Sequence, residues 1–249
     1  MTLLTGVLLS LTAYSQRPSP DNVETSKGPL TIQPILHGTL TLTWNGMTIY
    51  NDPYGGANAF SGIAAPDLVL ITDIHGDHLN EETLKALDLS KATIVVPQAV
   101  ADQMGDEFKK DLVIIGNGES KTVKGIDIRA IPMYNLPEDE TSRHTKGRGN
   151  GYILNLGGKN VYISGDTEDI PEMRSLKGID VAFVCMNLPY TMDINQAASA
   201  VAEFSPVIVY PFHYRGQGGL SDVESFKKMV NEQNNNVEVR LKNWYPSYE

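Results

Sequence analysis

The chain is predicted to fold as an α/β (α+β) protein in which two mixed sheets pack together with helices outside, a four-layer αβ/βα sandwich. Three observations predict it. Short β-rich runs follow one another closely after residue 29. Fully apolar strands then alternate with helical segments, and this order of hairpins before strand-helix alternation partly repeats in the second half. At 249 residues and 41% apolar composition, the chain can bury one sizeable core.

The elements follow in order. Residues 1–15 are a short apolar run closing on Ala13-Tyr14-Ser15, a small-x-small pattern of the kind that precedes signal-peptidase cleavage. The run is too short to span a bilayer, and no Cys follows it to carry a lipid. It is read as a signal peptide, which gives a periplasmic or secreted location; as an N-terminal core element instead, it would leave the protein cytoplasmic. Residues 16–28 are polar, Pro-bearing and non-periodic, so they read as a linker to a single domain over 29–249. Within the domain, strands are expected at 30–36, 39–44 and 47–50, the last two joined by the hairpin signal Asn45-Gly46. Hairpin-like pairs are expected at 113–115 near 121–133, and at 151–156 with 160–164 around Gly157-Gly158. Buried strands are expected at 68–71, 181–185 and 207–210, and helices at 81–87, 97–104, 195–204 and 221–231.

Charge and cysteine content exclude several classes. With 20 Lys plus Arg against 30 Asp plus Glu, the formal charge is −10, so no global positive field exists to hold nucleic acid. The single Cys185 forbids an internal disulfide and lies in an apolar strand, where packing dominates. No Gly-x-Ser-x-Gly elbow or phosphate loop is present.

One stretch concentrates ligand chemistry: Asp73-Ile74-His75-Gly76-Asp77-His78, directly after a buried strand. Residues two apart in extended chain face the same side, so Asp73 and His75 project together, while Asp77 and His78 sit at the entry to the next helix. Four ligand-capable groups leaving one turn suit two adjacent metal ions. Two later strands end in the same way. Gly165-Asp166-Thr167 follows one, and Pro211-Phe212-His213-Tyr214 belongs to another, so three segments bring carboxylates and imidazoles to the carboxyl ends of strands, where α/β sites form.

On these motifs the chain resembles the metallo-β-lactamase-fold metal-dependent hydrolases, closest to the branch of the ascorbate-6-phosphate lactonase and the N-acylphosphatidylethanolamine-hydrolysing phospholipase D. The resemblance implies the four-layer sandwich of that family and places His75, Asp77 and His78 in its His-x-His-x-Asp-His motif, Asp166 as its bridging carboxylate and His213 as its last His. Asp73 departs from the motif, standing where the first His would be. A carboxylate can ligate zinc at a similar distance, with a shift in preference toward Mn²⁺ or Fe²⁺; a damaged first site is the competing reading. The resemblance also implies a further His before a Gly-rich stretch, for which His144 is the candidate. Arg143, Lys146 and Arg148 make that loop locally basic, and Arg143, Arg148, Tyr134 and Tyr190 are candidate substrate contacts. His37 and Asp52 are candidates for a supporting role behind the ligands.

The expected activity is hydrolysis of an ester-type bond, lactone or phosphodiester, of a small and anionic substrate. Two divalent ions, zinc first with Mn or Fe as alternatives, would activate water, and Asp77 and Asp166 are the candidate catalytic carboxylates. The alternative is a metal-binding protein of the same fold with little or no turnover, because Asp73 replaces the first His of the motif.

Overall fold

The structure, a computed structural model, describes residues 17–246. Its first sheet runs in chain order through β1 (Asp21–Thr25), β2 (Gly28–Leu36), β3 (Thr39–Trp44), β4 (Met47–Asn51), β5 (Leu68–Leu70), β6 (Thr93–Val96) and β7 (Leu112–Ile114), antiparallel as far as β4 and parallel beyond it. Helices α1 (Glu81–Ala86) and α2 (Gln98–Gln103) make the crossovers. The second half repeats the plan. Antiparallel strands β8 (Ser120–Val123), β9 (Ile126–Met133), β10 (Gly149–Leu156) and β11 (Lys159–Ile163) lead into parallel β12 (Val181–Cys185) and β13 (Ile208–Phe212). A small hairpin, β14 (Arg215–Gly216) with β15 (Gly219–Leu220), follows, and β16 (Glu238–Val239) closes the sheet beside β13. Helices α3 (Pro171–Arg174), α4 (Ile194–Phe204) and α5 (Val223–Gln233) belong to this half.

Period-two alternation sorts the side chains between cores. Leu68 and Leu70 join the core that both sheets share, whereas Val69 and Ile71 face the other way and pack with Leu84 of α1 and Val100 of α2. On the second sheet, the ring of Tyr162 meets Phe204 of α4 edge to face. The expected sandwich is therefore present. Helix starts are set by capping: Asn80 accepts from the Thr83 amide, and Asp193 forms a reciprocal capping box with Gln196, each worth about 1 kcal/mol. Because Asn80 does this at α1, Asp77 is left outside the helix with its carboxylate available.

Two expectations are corrected. The stretch 16–28, read as linker, contains β1, which pairs antiparallel with β2 from Asp21 opposite Ile32 to Thr25 opposite Gly28. An edge strand that buries only Val23 needs little apolar sequence, which is why it passed for linker. The pairing expected between 113–115 and 121–133 does not occur. Strand β7 joins the first sheet beside β6, and β8 and β9 form their own hairpin in the second. The expected signal peptide lies outside the described residues, and no helix among them is long and apolar enough to cross a membrane.

The two sheets are tied together at one end. The Tyr152 hydroxyl donates to the Ile71 carbonyl at 2.9 Å, and the Asn150 amide donates to the Thr72 carbonyl at 2.9 Å. A Cβ at Gly149 would lie 2.8 Å from the same Thr72 carbonyl, so only glycine lets β10 come this close. This seam joins the strand end carrying Asp73 to the loop carrying His144 and Arg148.

Candidate metal centre

Every residue that the sequence nominated as a metal ligand converges at this end of the sandwich. The Asp166 carboxylate is central: Oδ2 lies 3.4 Å from His78 Nε2 and 3.3 Å from His144 Nε2, and Oδ1 lies 3.3 Å from His213 Nε2. Asp77 Oδ2 is 3.4 Å from His213 Nε2 and 3.8 Å from His78 Nε2, and the two imidazole nitrogens are 3.3 Å apart. Zinc bonds of 2.0–2.1 Å in a tetrahedron put neighbouring ligand atoms about 3.3 Å apart, so His78, Asp166 and His213 are spaced as a zinc site requires, while Asp77 groups with His213 and His37 beside them.

A second set lies on the other side of Asp166. Asp73 Oδ2 is 3.9 Å from His144 Nε2 and 2.6 Å from His75 Nδ1, the latter without hydrogen-bond alignment. His144 Nδ1 donates to the Asn135 side-chain oxygen at 3.1 Å, so its Nε2 presents a lone pair to the carboxylates. That nitrogen is buried and has no hydrogen-bond partner, and neither has Asp166 Oδ1. Buried polar atoms are rarely left so. Acceptors aimed at one another are what a cation between them would explain, and the donor set of imidazole and carboxylate fits a divalent ion.

The candidate ligands are held from behind. Asp52 Oδ2 accepts from His78 Nδ1 at 2.9 Å and from the Thr72 hydroxyl at 2.6 Å, and its Oδ1 accepts from the Thr72 amide at 2.7 Å. This fixes the tautomer of His78 with Nε2 turned inward. Asn135, whose amide donates to Glu168 and to the Tyr190 carbonyl, performs the same service for His144. His37, Asp52 and His213 all hold positive φ, at 59°, 42° and 47°, so the backbone is strained where the side chains must meet.

The charges reinforce one another. Burial favours a neutral Asp166, but the nearby His213 and His78 outweigh it and hold the carboxyl well below its ordinary range. Burial likewise opposes a charged His78, yet Asp166 and Asp52 push its pKa well above the ordinary value. For Asp77, burial is outweighed by hydrogen bonds from His213 and His37, and its pKa falls.

A cleft of about 530 Å³ opens over Asp77 and Asp166, walled by His37, Arg143, Tyr190 and Arg215 with the β14–β15 hairpin. Arg143 stacks over the Tyr190 ring at 4.5 Å, so both lie where substrate contacts were expected. Tyr134 does not. It is buried, and its hydroxyl donates to Glu172 at 2.8 Å, away from the cleft. Arg148 is also placed otherwise: Nε and Nη2 grip the two oxygens of Asp73 at 3.0 and 2.9 Å.

His37 stands nearer the chemistry than its sequence context indicated, with Nε2 at 3.2 Å from Asp77 Oδ2 and Nδ1 at 2.6 Å from the Tyr245 hydroxyl. Sequence reasoning missed Asn135 as the partner of His144, Thr72 and Tyr245. Thr72 gave a signal by standing directly before the motif, and Asn135 by following a strand end at the expected cleft rim.

A family model described as beta-lactamase superfamily domain matches residues 31–213. A UPF0173 metal-dependent hydrolase of Pyrococcus abyssi is 33% identical over 172 residues, which span 67% of this chain and 75% of that protein. One from Staphylococcus carnosus is 29% identical, spanning 79% and 92%. The crystal structure of a Parabacteroides distasonis protein described as a candidate metal-dependent hydrolase is 36% identical and superimposes with a TM-score of 0.80, covering 90% of this chain and 98% of that one. The two sheets, the converging motif and these relatives together place the chain in the beta-lactamase superfamily, within its UPF0173 family of metal-dependent hydrolases.

Proposed function

We propose that this enzyme hydrolyses an ester-type bond, lactone or phosphodiester, in a small anionic substrate, with two zinc ions at the centre. One is assigned to Asp77, His78, Asp166 and His213, and the other to Asp73, His75, His144 and Asp166. The observation that carries the reading is the spacing of His78, Asp166 and His213 together with the unpartnered His144 Nε2 and Asp166 Oδ1 beside them. Bound divalent ions would lower the pKa of water toward neutrality and polarise the scissile oxygen.

The protein groups have separate tasks. Asp77 is ionised and borders the cleft, where its carboxylate can orient the attacking water by accepting a hydrogen bond from it. His37 meets the same Asp77 oxygen that faces His213 and is itself held by Tyr245. Arg143 and Arg215 put positive charge on the cleft wall of a protein whose net charge is −10, which suits an anionic group on the substrate. The alternative of metal binding without turnover has no observation in its favour, since Asp73 retains ligand chemistry and faces His144. The lactonase and phospholipase D branch and export across a membrane remain part of the proposal, the latter tested by N-terminal sequencing of the mature protein. A panel of lactones, phosphodiesters and amides, assayed with and without chelator, tests the activity. Chelator-sensitive cleavage of a lactone or phosphodiester supports the reading, and cleavage of amides alone contradicts it.

A further inference from the structure

We propose that Arg148 is a positioning residue for the metal centre: with Asp73 it forms a charge-neutral pair that does the work of the single neutral histidine expected at that place in the motif. The inference rests on the proposal that Asp73 is a ligand, and it reassigns Arg148 from substrate contact to ligand support.

The geometry is that of a built pair. Both Asp73 oxygens accept from Arg148, Oδ1 from Nε at 3.0 Å and Oδ2 from Nη2 at 2.9 Å, which fixes the plane of the carboxylate. The same Oδ2 is the atom turned toward His75 and His144, so its remaining lone pair points into the second set of donors. Asp73 is fully buried, and an isolated carboxylate there would be strongly disfavoured.

Charge explains why the substitution and the arginine belong together. A histidine ligand is neutral, whereas Asp73 adds a negative charge to a centre that already holds Asp77 and Asp166; the guanidinium returns the sum to that of a histidine. The delivery of Arg148 is equally specific. Gly147 at φ 89° and Gly149, whose missing Cβ allows contact with the Thr72 carbonyl, fix the backbone on either side of it, opposite the strand end that carries Asp73. Partners that orient metal ligands typically change metal affinity by 10–100-fold when removed.

The test is metal stoichiometry by elemental analysis after zinc titration and gel filtration, with zinc affinity from a chromophoric chelator, on full-length wild type, Arg148→Gln, Asp73→His and the double variant Asp73→His/Arg148→Gln. Circular dichroism verifies the fold of each. Wild type is expected to hold two ions. Arg148→Gln should lose at least tenfold in affinity for one ion and keep the other unchanged. Asp73→His alone strands a guanidinium beside the histidine and should also lose that ion, whereas the double variant should recover it. A merely structural arginine would not give this rescue.

Equal zinc binding by Arg148→Gln and wild type overturns the proposal, and so does an Asp73→His variant that binds as well as the double. One ion in wild type overturns it together with the two-ion part of the proposed function, while hydrolysis itself is decided separately by the substrate panel. No ion in any of the proteins overturns both. Should Asp73→His fail to fold, the comparison of Arg148→Gln with the double variant decides alone.

Discussion

Substituting Asp52 by Asn changes one atom and no volume, and isolates the claim that His78 is aimed at the centre from behind. The Asp52 carboxylate receives four hydrogen bonds: the Thr72 amide at 2.7 Å on Oδ1, and the Thr72 hydroxyl at 2.6 Å, His78 Nδ1 at 2.9 Å and Asn51 Nδ2 at 3.1 Å on Oδ2. Whichever way an amide is turned, its NH₂ meets at least one of these donors. The less costly orientation keeps oxygen toward His78 and leaves the buried Thr72 amide unpaired, at about 1–3 kcal/mol. The bond to His78 also loses its charge assistance, roughly half its strength. Asn tolerates the φ of 42° at this position, so no backbone strain confuses the result. With His78 less firmly oriented, zinc affinity at this set should fall about 10–100-fold, or about 1.4–2.7 kcal/mol. Chelator competition gives the affinity, and urea unfolding of the metal-free protein gives the stability. A zinc affinity within threefold of wild type would refute the reasoning, whatever happened to stability.

Three further outcomes are expected. Asp166→Ala and His78→Ala should each abolish chelator-sensitive hydrolysis, whereas His37→Ala, which removes a neighbour of Asp77, should leave a measurable rate; equal loss in all three would place His37 among the ligands. Gly149→Ala forces a methyl against the Thr72 carbonyl and Met133 and should cost about 1–3 kcal/mol, read as a lowered Tm; an unchanged Tm would show that the seam is not tight. Burial acts to raise the Asp73 pKa, but His75, His78 and Arg148 outweigh it and lower it from 3.8 to about 2. The unfolded chain therefore takes up this proton first as pH falls, so the contribution of about 2 kcal/mol present above pH 4 fades toward pH 2. Urea titrations of metal-free wild type and Asp73→Asn across that range should converge at the acid end. Parallel curves would contradict the assignment.

Much of this was legible in the sequence because the signals are local. Leu68 to Ile71 reads as a strand since both its faces are buried, and Asp73 to His78 reads as a site since its ligands crowd one turn. Asp166 and His213 were reachable because each lies at a strand's carboxyl end. What escaped was set by distant partners. β1 is polar because it is an edge, and nothing local distinguishes β7, which joins the first sheet, from β8, which begins the second. Tyr245 meets His37 across 208 positions, and Arg148 meets Asp73 across 75, so neither pair leaves a trace in spacing or periodicity. Tyr134 was misplaced for a related reason: the strand end was located correctly, but the direction of its side chain depends on Glu172 of α3.

The central claim is that strand ends from both sheets jointly grip a cation able to activate water. Crystals of the zinc-loaded protein, measured on both sides of the zinc absorption edge, test it most directly. Anomalous density is expected within about 2.0–2.2 Å of His78 Nε2, His213 Nε2 and an Asp166 oxygen. Zinc-loaded crystals with no anomalous density at these atoms would contradict it.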